Sequence, residues 1–262
     1  MNASARFAEL VQGDEDTIPL DETALLIAAH AYPDLDVAAE LARLDAIAAR
    51  CPGDELDVLL EYLFGELGFT GNRHEYYDPR NSFLNEVLDR RLGIPITLSL
   101  VTMEVGRRIG VPLLGVGMPG HFLVRYGPVV VDPFTGGRKL TEDDCRQLLS
   151  GTLGVAVDLS TFDPSLLAPV GARVILSRML ANLRQLFVQS GDSRSLAWVV
   201  ELRTAIPGAD PAGLAELARI RVNLGRFAEA ADALEQLAEV TDEEQQSERL
   251  AARARLLRAR LN

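Results

Sequence analysis

The chain has 262 residues, of which 48% are hydrophobic and 24% are charged, and its 26 basic and 38 acidic side chains give a formal net charge of −12. This composition predicts a protein with a hydrophobic core and excludes collagen and wholesale disorder. Its apolar runs end well short of the roughly 20 residues that span a bilayer. The N-terminus lacks a basic start followed by an apolar stretch, so we expect no secretory signal and a cytoplasmic location. Two cysteines, Cys51 and Cys145, provide no disulfide framework, so reduced thiols are expected.

The negative charge is concentrated in the N-terminal quarter. Residues 1–66 contain 15 acidic and 3 basic side chains, whereas residues 67–170 contain 11 and 10 and residues 171–262 contain 12 and 13. No segment has the broad basic surface that neutralises nucleic-acid phosphates, so nucleic acid is not an expected partner. The acid-rich segment is interpreted as a solvated helix face. Arginines near the C-terminus have the sign to meet it, within one chain or between two copies, which leaves a homo-oligomer open.

Five helices are predicted in the first half of the chain from apolar residues at helical spacing. They cover residues 21–32, 37–49, 55–67, 83–91 and 96–109. Between the third and fourth, residues 68–82 are dense in Gly, Asn, Asp and Pro and include two adjacent tyrosines. This composition indicates an ordered loop rather than a linker.

The segment after residue 112 has the alternating pattern of strands. Predicted strands cover residues 113–117, 121–126 and 129–132, and the last two join through Gly127-Pro128. A two-residue turn there puts Asp132 opposite Leu123, which shares a face with His121. His121 and Asp132 are then diagonal neighbours, roughly 7 Å apart at the backbone.

The C-terminal third carries an internal repeat. Eight positions recur 34 residues later, among them Gly191 with Gly225 and Ala197 with Ala231. A period of 34 is typical of the tetratricopeptide (TPR) helix pair, in which small residues let helices pack closely. We therefore predict TPR-like helical hairpins in this region.

The three histidines are the candidate acid–base groups. His30, late in an apolar helix, is interpreted as structural, and His74, in the polar loop, as solvated. His121 differs because Asp132 is its neighbour across the hairpin. Such a carboxylate fixes the tautomer of an imidazole and stabilises the imidazolium in a catalytic dyad. Alternatively, the pair only holds the hairpin together.

The polar loop also allows two interpretations. Its residues can form an Asx-type turn and a cap for the next helix, or they can line a cleft over His121 that suits peptide recognition. The residues concerned are Tyr76, Tyr77, Asp78, Asn81 and Ser82.

No motif predicts a metal or a cofactor. Three scattered histidines and no cysteine pair give no metal-ligand spacing. The glycine-rich segment 115–120 leads into a strand rather than a nucleotide-binding helix, so it is interpreted as a turn before the His121 strand.

Four strings of the sequence resemble the bacterial SirB-type family, which joins a transglutaminase-like core to TPR-like helices. They are 76–85 (YYDPRNSFLN), 91–99 (RLGIPITLS), 119–124 (PGHFLV) and 131–134 (VDPF). The order of a helix, a strand with His121 and a strand with Asp132 also resembles papain-like enzymes. The resemblance covers residues from about 20 to 240. It implies an α+β fold: a papain/transglutaminase-like core with a small antiparallel sheet, flanked by N-terminal helices and C-terminal helical hairpins.

The resemblance also exposes a missing nucleophile. Enzymes of the broader superfamily carry a nucleophilic Cys at the N-terminus of the helix that precedes the His strand, and the resemblance puts Pro95, or at most Ile96, at that position here. His121 and Asp132 match the other two catalytic positions. The nearby hydroxyls are those of Thr97, Ser99 and Ser82. Hydroxyls within helices more often bond to the helix's own carbonyls or pack in the core.

Three functions are consistent with these features. The favoured one is a non-catalytic pseudoenzyme whose cleft binds a peptide or protein segment. The second is a cysteine-less hydrolase or acyltransferase that uses Thr97 or Ser99 with His121 and Asp132. In the third, the protein acts through its helical repeats alone.

The cleft-binding residues expected are Tyr76, Tyr77, Asp78, Asn81, Ser82 and Thr97. The predicted domains are an acidic helical segment (1–66), a transglutaminase-like core (67–170) and a TPR-like region (171–262).

Overall fold

The chain folds as two compact units in the computed structural model, which describes residues 2–153 and 163–260. One unit is Asp14–Met179, and the other combines Met1–Gly13 with Leu180–Asn262. The first helix of the chain therefore groups with the C-terminal helices and not with the acidic segment that follows it. The domain boundaries at residues 66 and 170 stay a prediction.

Helices account for most of the described residues. They are α1 (Ala3–Gln12), α2 (Leu20–Ala28), α3 (Val37–Ala49), α4 (Leu56–Leu60), α5 (Leu84–Arg90), α6 (Pro95–Arg108), α7 (Glu142–Leu153), α8 (Ala172–Ser190), α9 (Ser193–Ala205), α10 (Ala212–Asn223), α11 (Phe227–Glu239) and α12 (Glu244–Ala259). The strands are β1 (Thr70–Gly71), β2 (Leu92–Gly93), β3 (Leu114–Val116), β4 (Leu123–Tyr126), β5 (Val129–Asp132) and β6 (Arg138–Leu140).

The predicted helices of the first half are present, with differences in detail. Helix α2 ends at Ala28, four residues before its predicted end. The segment predicted as one helix over 55–67 is α4 followed by a π-helix, Glu61–Glu66. Helix α6 begins at Pro95, one residue earlier than predicted. Proline is favoured at the first helical position because the amide hydrogen it lacks would have no partner there.

A four-stranded antiparallel sheet, in the order β3-β4-β5-β6, forms the β part of the core. The hairpin register is the predicted one, with Tyr126 opposite Val129 and Val124 opposite Val131. The predicted start of the second strand is wrong, because β4 begins at Leu123 and His121 precedes it by two residues. The sheet packs on α7 through a buried cluster that includes Leu123 and Cys145. Helices, this small antiparallel sheet and a short parallel pair of β1 with β2 give the described part of the Asp14–Met179 unit the α+β fold expected of a transglutaminase-like core.

Helix α6 is buried along nearly its whole length, and an ionic network holds its C-terminal end. Arg108 donates to Asp21 at 2.6 Å, to Glu104 at 2.8 Å and to Asp45 at 2.7 Å, while Arg107 donates to Glu104 at 2.8 Å. Asp21 belongs to α2 and Asp45 to α3. The network therefore connects α6 with two helices of the acidic quarter.

In the other unit, α9, α10, α11 and α12 pack successively on one another, and α1 packs on α9. Gly191 and Gly225, one repeat apart, have φ angles of 71° and 74° after α8 and α10, a left-handed conformation that favours glycine. Arg258 of the arginine-rich end pairs with Asp232 and Glu235 of α11. Within residues 2–153 and 163–260, no helix is long and apolar enough to cross a membrane.

Candidate functional site

The N-terminus of α6 lies at the centre of the candidate site, and Pro95 is buried there. The Ile94 N–H donates to the Thr97 hydroxyl at 3.1 Å, so Thr97 caps the helix that Pro95 begins. The position that the resemblance assigns to a nucleophile holds a buried apolar side chain.

Thr97 and Ser99 of α6 carry the hydroxyls that could replace the missing nucleophile, and both hydroxyls are hydrogen-bonded to backbone carbonyls. Thr97 has no exposed surface, and its hydroxyl has the Asn81 carbonyl at 2.7 Å and the Ile94 carbonyl at 3.1 Å as acceptors. Ser99 is equally buried and donates to the Phe122 carbonyl at 3.2 Å. Both hydroxyls thus connect α6 to neighbouring segments of backbone, the second one to the segment that carries His121.

His121 is half-buried at the end of a tight turn. Its backbone N–H donates to the Met118 carbonyl at 3.1 Å, and Gly120 between them has φ of 69°. With Pro119 in the second position, this is the geometry of a type II turn, which requires a positive φ in its third position. Burial lowers the pKa of His121 below its ordinary value, and the negative charge of Asp132 only partly opposes the shift. The imidazole is therefore neutral at pH 7.

Asp132 is buried at the end of β5, and its carboxylate accepts hydrogen bonds from the next turn of the chain. The donors are the Phe134 N–H at 2.9 Å and the Thr135 hydroxyl at 2.9 Å. Among the described residues, no hydrogen bond joins this carboxylate to the His121 ring. The two groups interact through charge, as expected of neighbours across the hairpin, but Asp132 acts as a cap of the 3₁₀ helix Pro133–Thr135.

Asn81 holds the predicted polar loop in an ordered conformation. Its amide donates to the carbonyls of Glu75 at 2.7 Å and Tyr76 at 3.2 Å, and its carbonyl accepts from Asn72 at 3.1 Å and Arg90 at 3.3 Å. Asn81 itself has no exposed surface. The loop backbone is thereby fastened to a buried side chain rather than left to solvent.

The loop presents two tyrosines beside the Asp132 turn. Tyr77 is 64% exposed and contacts the Tyr76 ring edge-on, with the ring centroids 5.3 Å apart. Tyr76 in turn contacts Phe134 edge-on at 5.9 Å. Phe134 is two residues from Asp132, so the structure brings the aromatic loop and the end of β5 together.

Asp78 and Ser82 have different surroundings from the tyrosines. Asp78 caps the 3₁₀ helix Pro79–Ser82 and pairs with Arg80, and the hydrogen bonds from Arg80 hold the pKa of its carboxyl below the ordinary value although burial opposes this shift. The Ser82 hydroxyl is buried and has no hydrogen-bond partner among the described residues. Asp78 therefore has a structural role. Among the described residues, Ser82 carries the one candidate hydroxyl that makes no hydrogen bond.

Arg178 of α8 is a residue of the site that the sequence reasoning missed. Its guanidinium donates to the carbonyls of Met118 and His121, each at 2.9 Å. It is 57 positions from His121 in sequence, so no local pattern indicated the contact. Phe134 was also missed as a packing partner of the tyrosines, although it belongs to a string that carried the family resemblance.

The remaining candidates are structural or exposed. The His30 ring bonds the Leu26 carbonyl at 2.8 Å, and His74 is exposed. Burial, together with neighbouring carboxylates, raises the pKa of the buried Cys145 thiol, which disfavours the reactive thiolate. In the part of the chain that the structure describes, no group of three or more His, Cys, Asp or Glu side chains could hold a metal ion.

The buried start of α6, then His121 just before β4 and Asp132 at the end of β5, follow the order that the resemblance to the transglutaminase-like class implies. The sequence profile of the transglutaminase-like superfamily matches residues 29–181, and the chain belongs to this superfamily.

The chain is similar to relatives of two kinds. A UPF0162 protein of Xylella fastidiosa (strain 9a5c) is 42% identical over 190 residues, which are 68% of either chain. A UPF0162 protein of Pseudomonas aeruginosa is 36% identical over 183 residues, 66% of either chain. F-box only protein 21 of Homo sapiens is 33% identical over 152 residues, which are 53% of this chain and 23% of that protein. No solved structure gave a significant match.

Proposed function

We propose that this protein is a non-catalytic member of the transglutaminase-like superfamily that binds a peptide or protein segment at the face formed by His121, Tyr76 and Tyr77. The observation that carries the proposal is the buried Pro95 at the nucleophile position, with the hydroxyls of Thr97 and Ser99 bonded to backbone carbonyls. Proton transfer needs a nucleophile and a base within hydrogen-bond reach, and the described residues offer no such pair with His121.

The aromatic residues Tyr76 and Tyr77 support a role of this face in binding rather than in catalysis. The exposed tyrosines Tyr76 and Tyr77, the first of which contacts Phe134 two residues after Asp132, combine apolar area with hydrogen-bonding groups, a composition enriched in binding hot spots. The retained His121 and Asp132 then contribute shape and a polar contact rather than a reaction step. F-box only protein 21 contains a segment similar to this core within a longer chain, which also favours a role in protein interactions.

Two finer assignments are part of the same proposal. The strings around Tyr76, Pro95, His121 and Asp132 favour the SirB-type branch of the superfamily. The 34-residue repeat, with matching left-handed glycines after α8 and α10, favours TPR-like hairpins in the C-terminal region. A cytoplasmic location completes the proposal.

The absence of catalysis is tested with covalent probes. We expect a fluorophosphonate to leave the protein unlabelled and iodoacetamide to label only the partly exposed Cys51. Mass spectrometry of the wild-type protein, of His121→Ala and of the control His74→Ala should therefore give the same pattern. Labelling of Ser82, Thr97 or Ser99 that disappears in His121→Ala would instead support the hydrolase or acyltransferase alternative.

The binding face is tested with peptides selected from a phage-displayed random library. We expect Tyr77→Ala to weaken the selected peptides at least about tenfold, because truncation of an aromatic hot spot costs about 2 kcal/mol or more. The control is Tyr126→Ala, which removes a tyrosine that is 38% exposed at the hairpin turn, away from the proposed face. Equal effects of the two substitutions, or a library that yields no binder, would contradict the proposal.

A further inference from the structure

The glycine-rich segment 115–120, interpreted from sequence only as a turn, contains three glycines with separate steric roles around His121. Gly120 supplies the positive φ of the turn that ends at His121. A Cβ atom on Gly115 would lie 2.9 Å from the ring of Phe122, the residue after His121. A Cβ atom on Gly117 would lie 2.7 Å from Nη1 of Arg178. Gly120 thus allows the turn, whereas Gly115 and Gly117 leave space for the side chains of Phe122 and Arg178.

Arg178 contacts this segment at three points. Nη2 donates to the carbonyls of Met118 and His121, the first and last residues of the turn, each at 2.9 Å. The guanidinium carbon also lies 5.4 Å from the centroid of the Phe122 ring. One planar guanidinium therefore contacts both ends of the turn and also Phe122. Its donors have a fixed relative geometry, which suits the positioning of a backbone segment.

Within residues 2–153 and 163–260, the positive charge of Arg178 has no interaction partner other than these groups. No carboxylate pairs with it there, whereas Arg173, five positions earlier on α8, pairs with Glu15 at 2.7 Å. Burial lowers the pKa of Arg178, because removing the charged guanidinium from water costs free energy. Hydrogen bonds to two carbonyl oxygens offset part of that cost.

We infer that Arg178, admitted by Gly117, is the positioning residue of His121 and sets the orientation and burial of its imidazole. The inference rests on the proposed function only in treating His121 as part of the binding face. Arg178 does not act on a ligand itself in this arrangement. It acts through the turn, and Ser99 assists from the other side by holding the Phe122 carbonyl.

The test is the titration of the His121 ring in the full chain, followed by NMR with labelled histidine. In the wild-type protein, burial keeps the pKa of His121 below its ordinary value. Loss of the Arg178 contacts lets water reach the ring, and hydration favours the charged form. We therefore expect Arg178→Met to move the pKa of His121 upward, toward about 6.5.

Two further substitutions separate positioning from general destabilisation. Gly117→Ala displaces only the flexible end of the Arg178 side chain, so it should keep the fold and produce the same upward shift. Arg178→Lys retains a donor for the two carbonyls and should stay closer to the wild-type titration than Arg178→Met. Arg173→Met, on the same helix, is the control and should leave His121 unchanged.

The outcomes distinguish this inference from the proposed function. If His121 titrates as in the wild type in folded Gly117→Ala and Arg178→Met, the positioning role is wrong. A shifted titration with weakened binding of the selected peptides supports both proposals. A shifted titration with unchanged binding supports the positioning role and contradicts the assignment of His121 to the binding face.

Discussion

Replacing Arg108 with Met should lower the free energy of unfolding by about 3–5 kcal/mol, the usual result of removing one partner from a buried ion pair. Among the described residues, only Arg108 bonds to both buried carboxylates, Asp21 and Glu104, and to Asp45 as well, and its side chain is 12% exposed. Burial opposes ionisation of Asp21, but the hydrogen bond from Arg108 helps to hold the pKa of Asp21 below its ordinary value. Without Arg108, that carboxylate loses its strongest donor.

The adjacent Arg107 is the matched control for this substitution. Its side chain is 60% exposed, so water screens its ion pairs with Glu104 at 2.8 Å and with Asp21 at 3.3 Å, and we expect a smaller loss than for Arg108→Met. Urea unfolding of Arg107→Met and Arg108→Met measures both free energies. Equal losses in the two variants would contradict the account of the network.

The same network predicts how the difference depends on pH. Burial and the neighbouring Asp21 raise the pKa of Glu104 above its ordinary value. A carboxyl whose pKa is raised by folding destabilises the folded state while it is ionised, and this effect disappears as pH falls through the folded-state pKa. We therefore expect the gap between Arg108→Met and the wild type to narrow at acidic pH.

Replacing Asn81 with Ala should lower the free energy of unfolding by more than about 2 kcal/mol, because it leaves the buried Asn72 amide and two part-buried backbone carbonyls without partners. The carbonyls of Glu75 and Tyr76 lose a donor, and the Asn72 amide loses its acceptor. Thermal unfolding followed by circular dichroism measures the loss. The loop that carries Tyr76 and Tyr77 should also become more susceptible to proteolysis.

Asn85 provides a control of the same residue type. It is also buried, but its side-chain oxygen has no hydrogen-bond partner among the described residues. Removing an unsatisfied group relieves a desolvation cost, so Asn85→Ala should cost clearly less than Asn81→Ala. A larger loss for Asn85→Ala than for Asn81→Ala would show that the loop does not depend on the Asn81 hydrogen bonds.

The amino-acid sequence by itself determined the local structure of the core and the feature that decides the function proposed for it. Helical periodicity located α3 and α6, because apolar spacing along a helix is a local property. The Gly127-Pro128 turn set the hairpin register, since a two-residue connection leaves one pairing of the strands. The same sequence put Pro95, which has no nucleophilic atom, at the first position of α6.

Only the tertiary structure decided which polar groups are occupied. The sequence leaves open whether Asp132 orients His121 or only holds the hairpin together; in the structure its carboxylate caps the next turn, and Thr97 and Ser99 bond to carbonyls of distant segments. Arg178 and Arg108 meet their partners 57 and 87 positions away. A hydrogen bond depends on distances of about 3 Å, which packing of remote segments sets and which no local sequence pattern records.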